Sequence, residues 1–280
     1  MYTAFILTIS NRLAFDKEIM IEIRKVQVTR YVTPLKEGGS LPAIAEADDG
    51  FSYVVKFRGA GQGIKALVAE LIGGELARSL GLKVPEIVFA ELDSSFGRTE
   101  PDEEIQDLLK ASIGENLALH YLAGAITYDP AVNKVDPVIA SKIVWLDALI
   151  TNMDRTARNA NMLIWRRELW LIDHGAALYF HHNWTGHETS KQSAFPMIKD
   201  HILLAQATEL ENIDATCKAL ITQEKLREII DLIPDNWLKE YDPDYSPQKV
   251  KDTYFDFLWY RIQHSEIFLK TAIDARAALI

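Results

Sequence analysis

Two aspartates and an asparagine carry the clearest chemical signal in this chain. Asp154 is followed five residues later by Asn159, and Asp173 is followed by His174 and Gly175. Between them lie two short apolar runs, Met162-Leu163-Ile164-Trp165 and Leu169-Trp170-Leu171-Ile172. Both have the length and residue types of strands, and Arg166-Arg167-Glu168 reads as the turn that joins them. A hairpin of that size brings its ends together, so Asp173 returns to the neighbourhood of Asn159, with Asp154 further along the loop. Carboxylate and carboxamide oxygens converging in this way suit a divalent cation and a base that orients a hydroxyl. An isolated Asp-Arg pair is usually a surface ion pair, and an isolated Asp-x-Gly is usually a turn. Their spacing about a strand–turn–strand pattern is what argues for a site.

An Asp-x-x-x-x-Asn loop, a hairpin and an Asp-x-Gly motif in this order resemble the catalytic heart of the protein-kinase fold. The longer form, Asn152-x-Asp154-Arg155 with Asn159-x-Asn161, is similar to the HipA-like serine/threonine kinases and, more distantly, to the phosphatidylinositol kinases. The run from Leu171 to Leu178, followed by Tyr179-Phe180-His181-His182, resembles a compact HipA-like kinase family. The resemblance implies ATP- and Mg2+-dependent phosphoryl transfer, most often to a serine or threonine hydroxyl. Asp154 resembles the catalytic aspartate that acts on the acceptor, and Asn159 and Asp173 resemble the metal ligands. Arg155 and Arg158 read equally well as charge-stabilising groups and as members of surface ion pairs, and Asn161 is expected to fix the loop backbone.

The elements needed to position these residues follow from periodicity. Residues 20–32 alternate as a half-buried strand, Asp48-Asp49-Gly50 marks a hairpin turn, and the strand over 51–57 carries Lys56. A helix is predicted from Ile64 to Leu80, stopped by Gly81, and a further strand over 84–92. Strand, strand with Lys, helix with Glu, strand is the layout of a kinase N-lobe. Within it Lys56 and Glu70 resemble the lysine that steadies the nucleotide phosphates and its helix partner, with Glu75 the competing glutamate. Gly59, Gly61 and Gly63 do not match a dinucleotide fingerprint, and Gly63-Ile64-Lys65 does not complete a P-loop. Gly38, Gly39 and Ser40, between the two strands preceding Lys56, are the better candidates for a loop over the phosphates. The resemblance to HipA-like toxins, which carry a phosphorylatable serine in a comparable loop, also makes Ser40 a candidate regulatory phosphoserine, though a plain turn serine is the favoured reading.

The polar stretch from Asp93 to Lys110 is read as the inter-lobe linker followed by a short helix, with the adenine-contacting hinge between it and Tyr121; Ser112-Ile113-Gly114-Glu115-Asn116 resembles the matching family segment. Pro137–Thr151 is an apolar helix delivering the chain into the catalytic loop. His181, His182, Trp184 and His187 lack a cysteine or His-Glu-x-x-His context, and packing or a substrate-side loop is favoured over zinc. Residues 198–208 and 223–233 read as amphipathic helices, and Ser246-Pro247 opens a final long one. The expected fold is α+β and two-lobed: residues 1–19 an extension, 20–110 a β-rich N-lobe with its linker, 111–280 a helical C-lobe.

Composition sets the outer limits. The 280 residues carry a formal charge of -10, which disfavours direct, non-specific nucleic-acid binding. Cys217 is the only cysteine, so no intramolecular disulfide or cysteine-based zinc site can form, which fits a reducing, cytoplasmic setting. No apolar run approaches the ~20 residues of a membrane span. The expected partners are ATP and an unidentified protein or small-molecule acceptor, and a regulatory protein partner is compatible with the resemblance. The chain is much shorter than full-length HipA toxins, so neither a toxin role nor their DNA-binding partner is carried over. Two other classes stay open: a non-catalytic binding module with this fold, and a lipid or small-molecule kinase.

Overall fold

The structure is a computed structural model and describes residues 21–35, 41–96, 101–239 and 245–279. The expected N-terminal extension and the Gly38, Gly39, Ser40 loop lie outside the described residues.

Strands dominate the first part of the chain: β1 (Lys25–Pro34), β2 (Ala43–Ala47), β3 (Ser52–Lys56), then helix α1 (Gly63–Ser79), β4 (Ile87–Leu92), α2 (Glu103–Ala111) and β5 (Gly114–His120). The five strands close into a barrel in the order β1-β2-β3-β5-β4, antiparallel except for the β1–β4 pair. Alternation along each strand decides what fills it. Ala43, Ala45 and Ala47 of β2 and Tyr53 and Val55 of β3 point inward, joined by Val26, Val28, Val88, Ala90 and Ala118. Small side chains suit so narrow an interior.

The expected boundary at residue 110 falls before β5, which pairs with both β3 and β4 and completes the barrel. A break at residue 110 would cut the barrel open, so the strand-bearing part extends to His120. β4 and β5 are buried on both faces. Val88, Ala90 and Ala118 face the barrel interior, while Ile87, Phe89, Leu117 and Leu119 face a second, larger core.

That larger core belongs to the helices. After β6 (Ile126–Thr127) come α3 (Pro137–Leu149), the hairpin β7 (Met162–Trp165) and β8 (Glu168–Leu171), a short α4 (His187–Ser190), and α5 (Leu210–Leu220), α6 (Gln223–Asp231), α7 (Asp235–Leu238), α8 (Pro247–Gln263) and α9 (Glu266–Ala277). α1 joins this core although it precedes most of it, and is buried on all sides, from Ile64 through Leu76 and Ala77.

Three expectations about elements change. Residues 198–208 form no α-helix. They run through 3-10 turns at Pro196–Asp200 and Leu204–Gln206, where Ile198, Leu203, Leu204 and Ala207 are buried at spacings that imitate a helix face. The predicted final helix begins as expected, with the Ser246 hydroxyl accepting from the Lys249 N–H and Pro247 at the first position. It stops at Gln263, and α9 restarts at Glu266. In the hairpin, Glu168 is already in β8, leaving a two-residue turn with Arg166 at φ 51° and Arg167 at φ 67°. Positive φ at both positions is what a two-residue turn between twisted strands requires, and the Arg166 guanidinium stacks on Trp165 at 4.2 Å.

Candidate active site

Lys56 is placed by parity. Tyr53 and Val55 fill the barrel, so Lys56 leaves on the opposite face, toward α1. There its ammonium contacts Glu70 Oε2 at 2.7 Å and Asp173 Oδ1 at 2.6 Å. Glu75, the competing glutamate, pairs instead with Arg78 at 3.6 Å on another part of α1. Glu70 is fully buried, and the same Oε2 accepts the backbone N–H of His174 at 2.7 Å. Burial would raise the Glu70 pKa, but the Lys56 charge and the His174 hydrogen bond outweigh it and hold the carboxyl below its usual range. Burial likewise opposes the charge on Lys56, and Asp173 with Glu70 reverses this, so the ammonium is held protonated.

Asp173 sits at φ 56°, in the left-handed region that few non-glycine residues adopt. This bend after β8 sends its carboxylate to Lys56 and buries His174 against α1. Gly73 makes that fit possible: a Cβ there would lie 2.7 Å from His174 Cβ.

The other half of the site is the loop after α3. Asp154 Oδ2 accepts from the Asn159 amide at 2.7 Å and the Asn161 amide at 3.3 Å. Asn161 also ties the two halves together. Its amide reaches the Asp173 carbonyl at 3.5 Å, and its own carbonyl accepts from the Ile172 N–H at 3.1 Å. A continuous chain of contacts therefore runs from Glu70 through Lys56, Asp173 and Asn161 to Asp154 and Asn159.

Arg155 and Arg158 part company. Arg158 is exposed, whereas Arg155 is buried and its Nε donates to Asp147 Oδ2 at 2.6 Å. Its Nη1 donates to the Asn161 carbonyl and, at 3.4 Å, to that of Ile172. Asp147 also accepts from the Asn152 amide at 2.9 Å and is joined by His201 Nε2 at 2.9 Å. Burial would raise the Asp147 pKa; Arg155 and His201 hold it below the usual carboxylate range. Sequence reasoning passed over Asp147 and His201. A signal for the first was present: Asp147 is the one charge in the apolar run Ile143-Val144-Trp145-Leu146-Asp147-Ala148-Leu149-Ile150, and a charge there needs a partner.

Oxygen donors dominate the open part of the site. Asp173 is about half exposed, and the Asn159 side chain is exposed beside Asp154. This donor set fits a hard divalent cation that takes its remaining ligands from phosphate and water. Among the described residues no group of three or more His, Cys, Asp or Glu side chains is arranged to hold a metal alone. The histidine-rich stretch beyond the site packs inward at His181, whose Nδ1 lies 2.8 Å from the Tyr254 hydroxyl. Among the described residues no helix is long and apolar enough to cross a membrane.

Comparison with known proteins adds the family. A family model described as "HipA-like kinase" matches residues 28–266. A Helicobacter pylori proinflammatory kinase, CtkA, is similar in structure at a TM-score of 0.57 and 14% identity, covering 90% of this chain and 99% of its own. A Golgi casein kinase solved with Mn and ADP aligns over 91% of this chain and 74% of its own, at 14% identity and a TM-score of 0.46. Among curated proteins no match is found. The fold is therefore protein-kinase-like, of mixed helix and strand content.

Proposed function

This chain belongs to the HipA-like kinase family and is therefore a phosphotransferase; from that premise we propose that it moves the γ-phosphoryl group of ATP to a hydroxyl, favouring serine or threonine of a protein. The observation that carries this reading is Lys56 held between Glu70 and Asp173, with Asn161 joining Asp173 to Asp154. The barrel and the helical part are assigned as the two lobes, with the nucleotide between them.

Lys56 is assigned to the phosphates, with Glu70 fixing its position. Asn159 and Asp173 are assigned to Mg2+, which, when bound, supplies the positive charge that offsets charge on the β- and γ-phosphate oxygens. The two amides on Asp154 occupy Oδ2, and Oδ1 is the atom assigned to orient the acceptor hydroxyl. Most of the rate gain in such a reaction comes from positioning and electrostatics, which a pre-tied loop supplies. The formal charge of -10 argues against a membrane-borne acceptor, which leaves a protein or a metabolite.

The test is transfer from γ-labelled ATP with magnesium and cell lysate, separating protein, lipid and metabolite products. Labelled protein is expected. Calorimetry of ATP with and without magnesium checks the metal assignment, since equal affinity in both would remove it. Absence of transfer from any preparation would turn the reading toward a non-catalytic binding module.

A further inference from the structure

The chain that leaves the site after Gly175 comes back to the catalytic loop at His201. Thr156 and His201 form an isolated antiparallel bridge, and the Ile202 N–H donates to the Arg155 carbonyl at 3.1 Å. The imidazole of His201 is buried, with each ring nitrogen engaged. Leu203 N–H lies 3.0 Å from Nδ1, and Asp147 Oδ2 lies 2.9 Å from Nε2. A backbone N–H can only donate, so Nδ1 is the acceptor. In the neutral ring the proton then sits on Nε2 and is donated to Asp147.

Asp147 passes this contact on. Its Oδ2 holds Arg155, its Oδ1 holds Asn152, and the Asn152 side-chain oxygen accepts the Asp154 N–H at 3.2 Å. Arg155 in turn grips the carbonyl of Asn161, whose amide is on Asp154. Two short routes thus join His201 to Asp154, one through Asn152 and one through Arg155 and Asn161. They cross buried groups in which every hydrogen bond is costly to lose.

We propose that His201 is a positioning residue for phosphoryl transfer: its Nε2–H bond to Asp147 makes the placement of Asp154 depend on the seating of the segment around residues 196–204. The proposal rests on the assignment of Asp154 to the acceptor hydroxyl. A side chain that merely filled space would have no need of its proton. One that positions the loop through Asp147 must keep a donor at that point, and a displacement of about 1 Å at the reacting group is enough to cost roughly a hundredfold in rate.

The test compares His201→Gln, whose amide can still donate to Asp147, with His201→Leu, which fills the space without a donor, both in the full chain. Three quantities are measured: transfer from γ-labelled magnesium-ATP, ATP affinity by calorimetry, and hydrogen exchange of the amides of residues 152–161. His201→Leu should lower kcat at least tenfold, keep ATP affinity within twofold and speed exchange in the loop. His201→Gln should recover turnover to within about threefold of wild type and restore slow exchange. Equal losses in the two variants, or wild-type turnover and exchange in His201→Leu, would overturn the proposal. If His201→Leu does not fold, His201→Asn, with an amide too short to reach Asp147, replaces it with the same expectations. If the wild type transfers no phosphate, the assignment of Asp154 fails by itself. The exchange comparison then decides whether His201 holds the loop, and an undisturbed loop in His201→Leu rejects it.

Discussion

Lys56, Glu70 and Asp173 form one ion cluster, and Asp147, Arg155 and His201 form another. Both set carboxylates against nitrogen cations or donors at 2.6–2.9 Å. They differ in access. In the second cluster the Asp147 and Arg155 side chains are fully buried and that of His201 is 2% exposed. In the first, exposure climbs from 0% at Glu70 through 14% at Lys56 to 46% at Asp173. A sealed cluster whose carboxylate oxygens are already occupied can only hold structure. A graded one has a fixed end and a free end, and the free end can exchange its partner for a ligand. The same chemistry therefore serves as scaffold in one place and as working site in the other, and burial separates the two.

The contrast can be broken by substitution. Asp147→Ala leaves Arg155 buried without its carboxylate and should cost about 3–5 kcal/mol of stability in urea unfolding, the scale for removing one partner of a buried pair. A cost under about 1 kcal/mol would mean that this cluster is not scaffold. Asp173→Ala should do the reverse: stability nearly unchanged, because the pair is half exposed, with magnesium-dependent ATP binding and transfer lost together. Asp154→Asn divides the working site further. It should keep ATP affinity and lose turnover about a hundredfold, ~3 kcal/mol of barrier. Equal turnover in Asp154→Asn and wild type would remove Asp154 from the chemistry.

Smaller changes sharpen the comparison. Gly73→Ala gains about 1 kcal/mol of helix propensity but drives a methyl into His174, and overpacking of this kind costs about 1–3 kcal/mol. Because His174 N–H is fixed on Glu70, the displacement reaches Lys56. A small drop in Tm with a several-fold loss of ATP affinity is expected; a raised Tm with unchanged affinity would show that the helix absorbs the methyl. The smallest effect is in pH. Asp147 holds its proton less tightly folded than unfolded, so its stabilisation is complete above the ordinary carboxylate pKa of about 4 and fades as pH falls through and below it. Urea midpoints at pH 7 and pH 4 should therefore differ by more in wild type than in Asp147→Asn.

What could be read from the sequence was local. Asp154 and Asn159 are five residues apart, Asp173 ends the hairpin that starts at Met162, and Lys56 and Glu70 sit on consecutive elements. What could not be read depended on distance along the chain or on shape. One partner of Asp147, His201, lies 54 residues away, and no periodicity links them. The role of Gly73 exists only because His174 descends onto it. The buried setting of Glu115 and Asn116 in β5 was not legible either: both are polar residues, and the Asn116 side-chain oxygen accepts the Arg58 N–H at 2.8 Å, a partner 58 residues away. The false helix over 198–208 arose because 3-10 turns can bury residues at nearly helical spacing, and periodicity alone does not distinguish them.

The position of α1 bears on how the protein is made. This helix ends at Ser79, yet the apolar surface that covers it comes in part from α3 and α6, the latter ending at Asp231. A ribosome thus delivers a largely apolar helix long before it delivers its cover. The barrel can close once β5 has emerged, but until α6 has been delivered the nascent chain carries a finished barrel beside an uncovered, adhesive helix. The expected outcome is that fragments ending before α6 are insoluble when expressed, which fractionation of a truncation series would check.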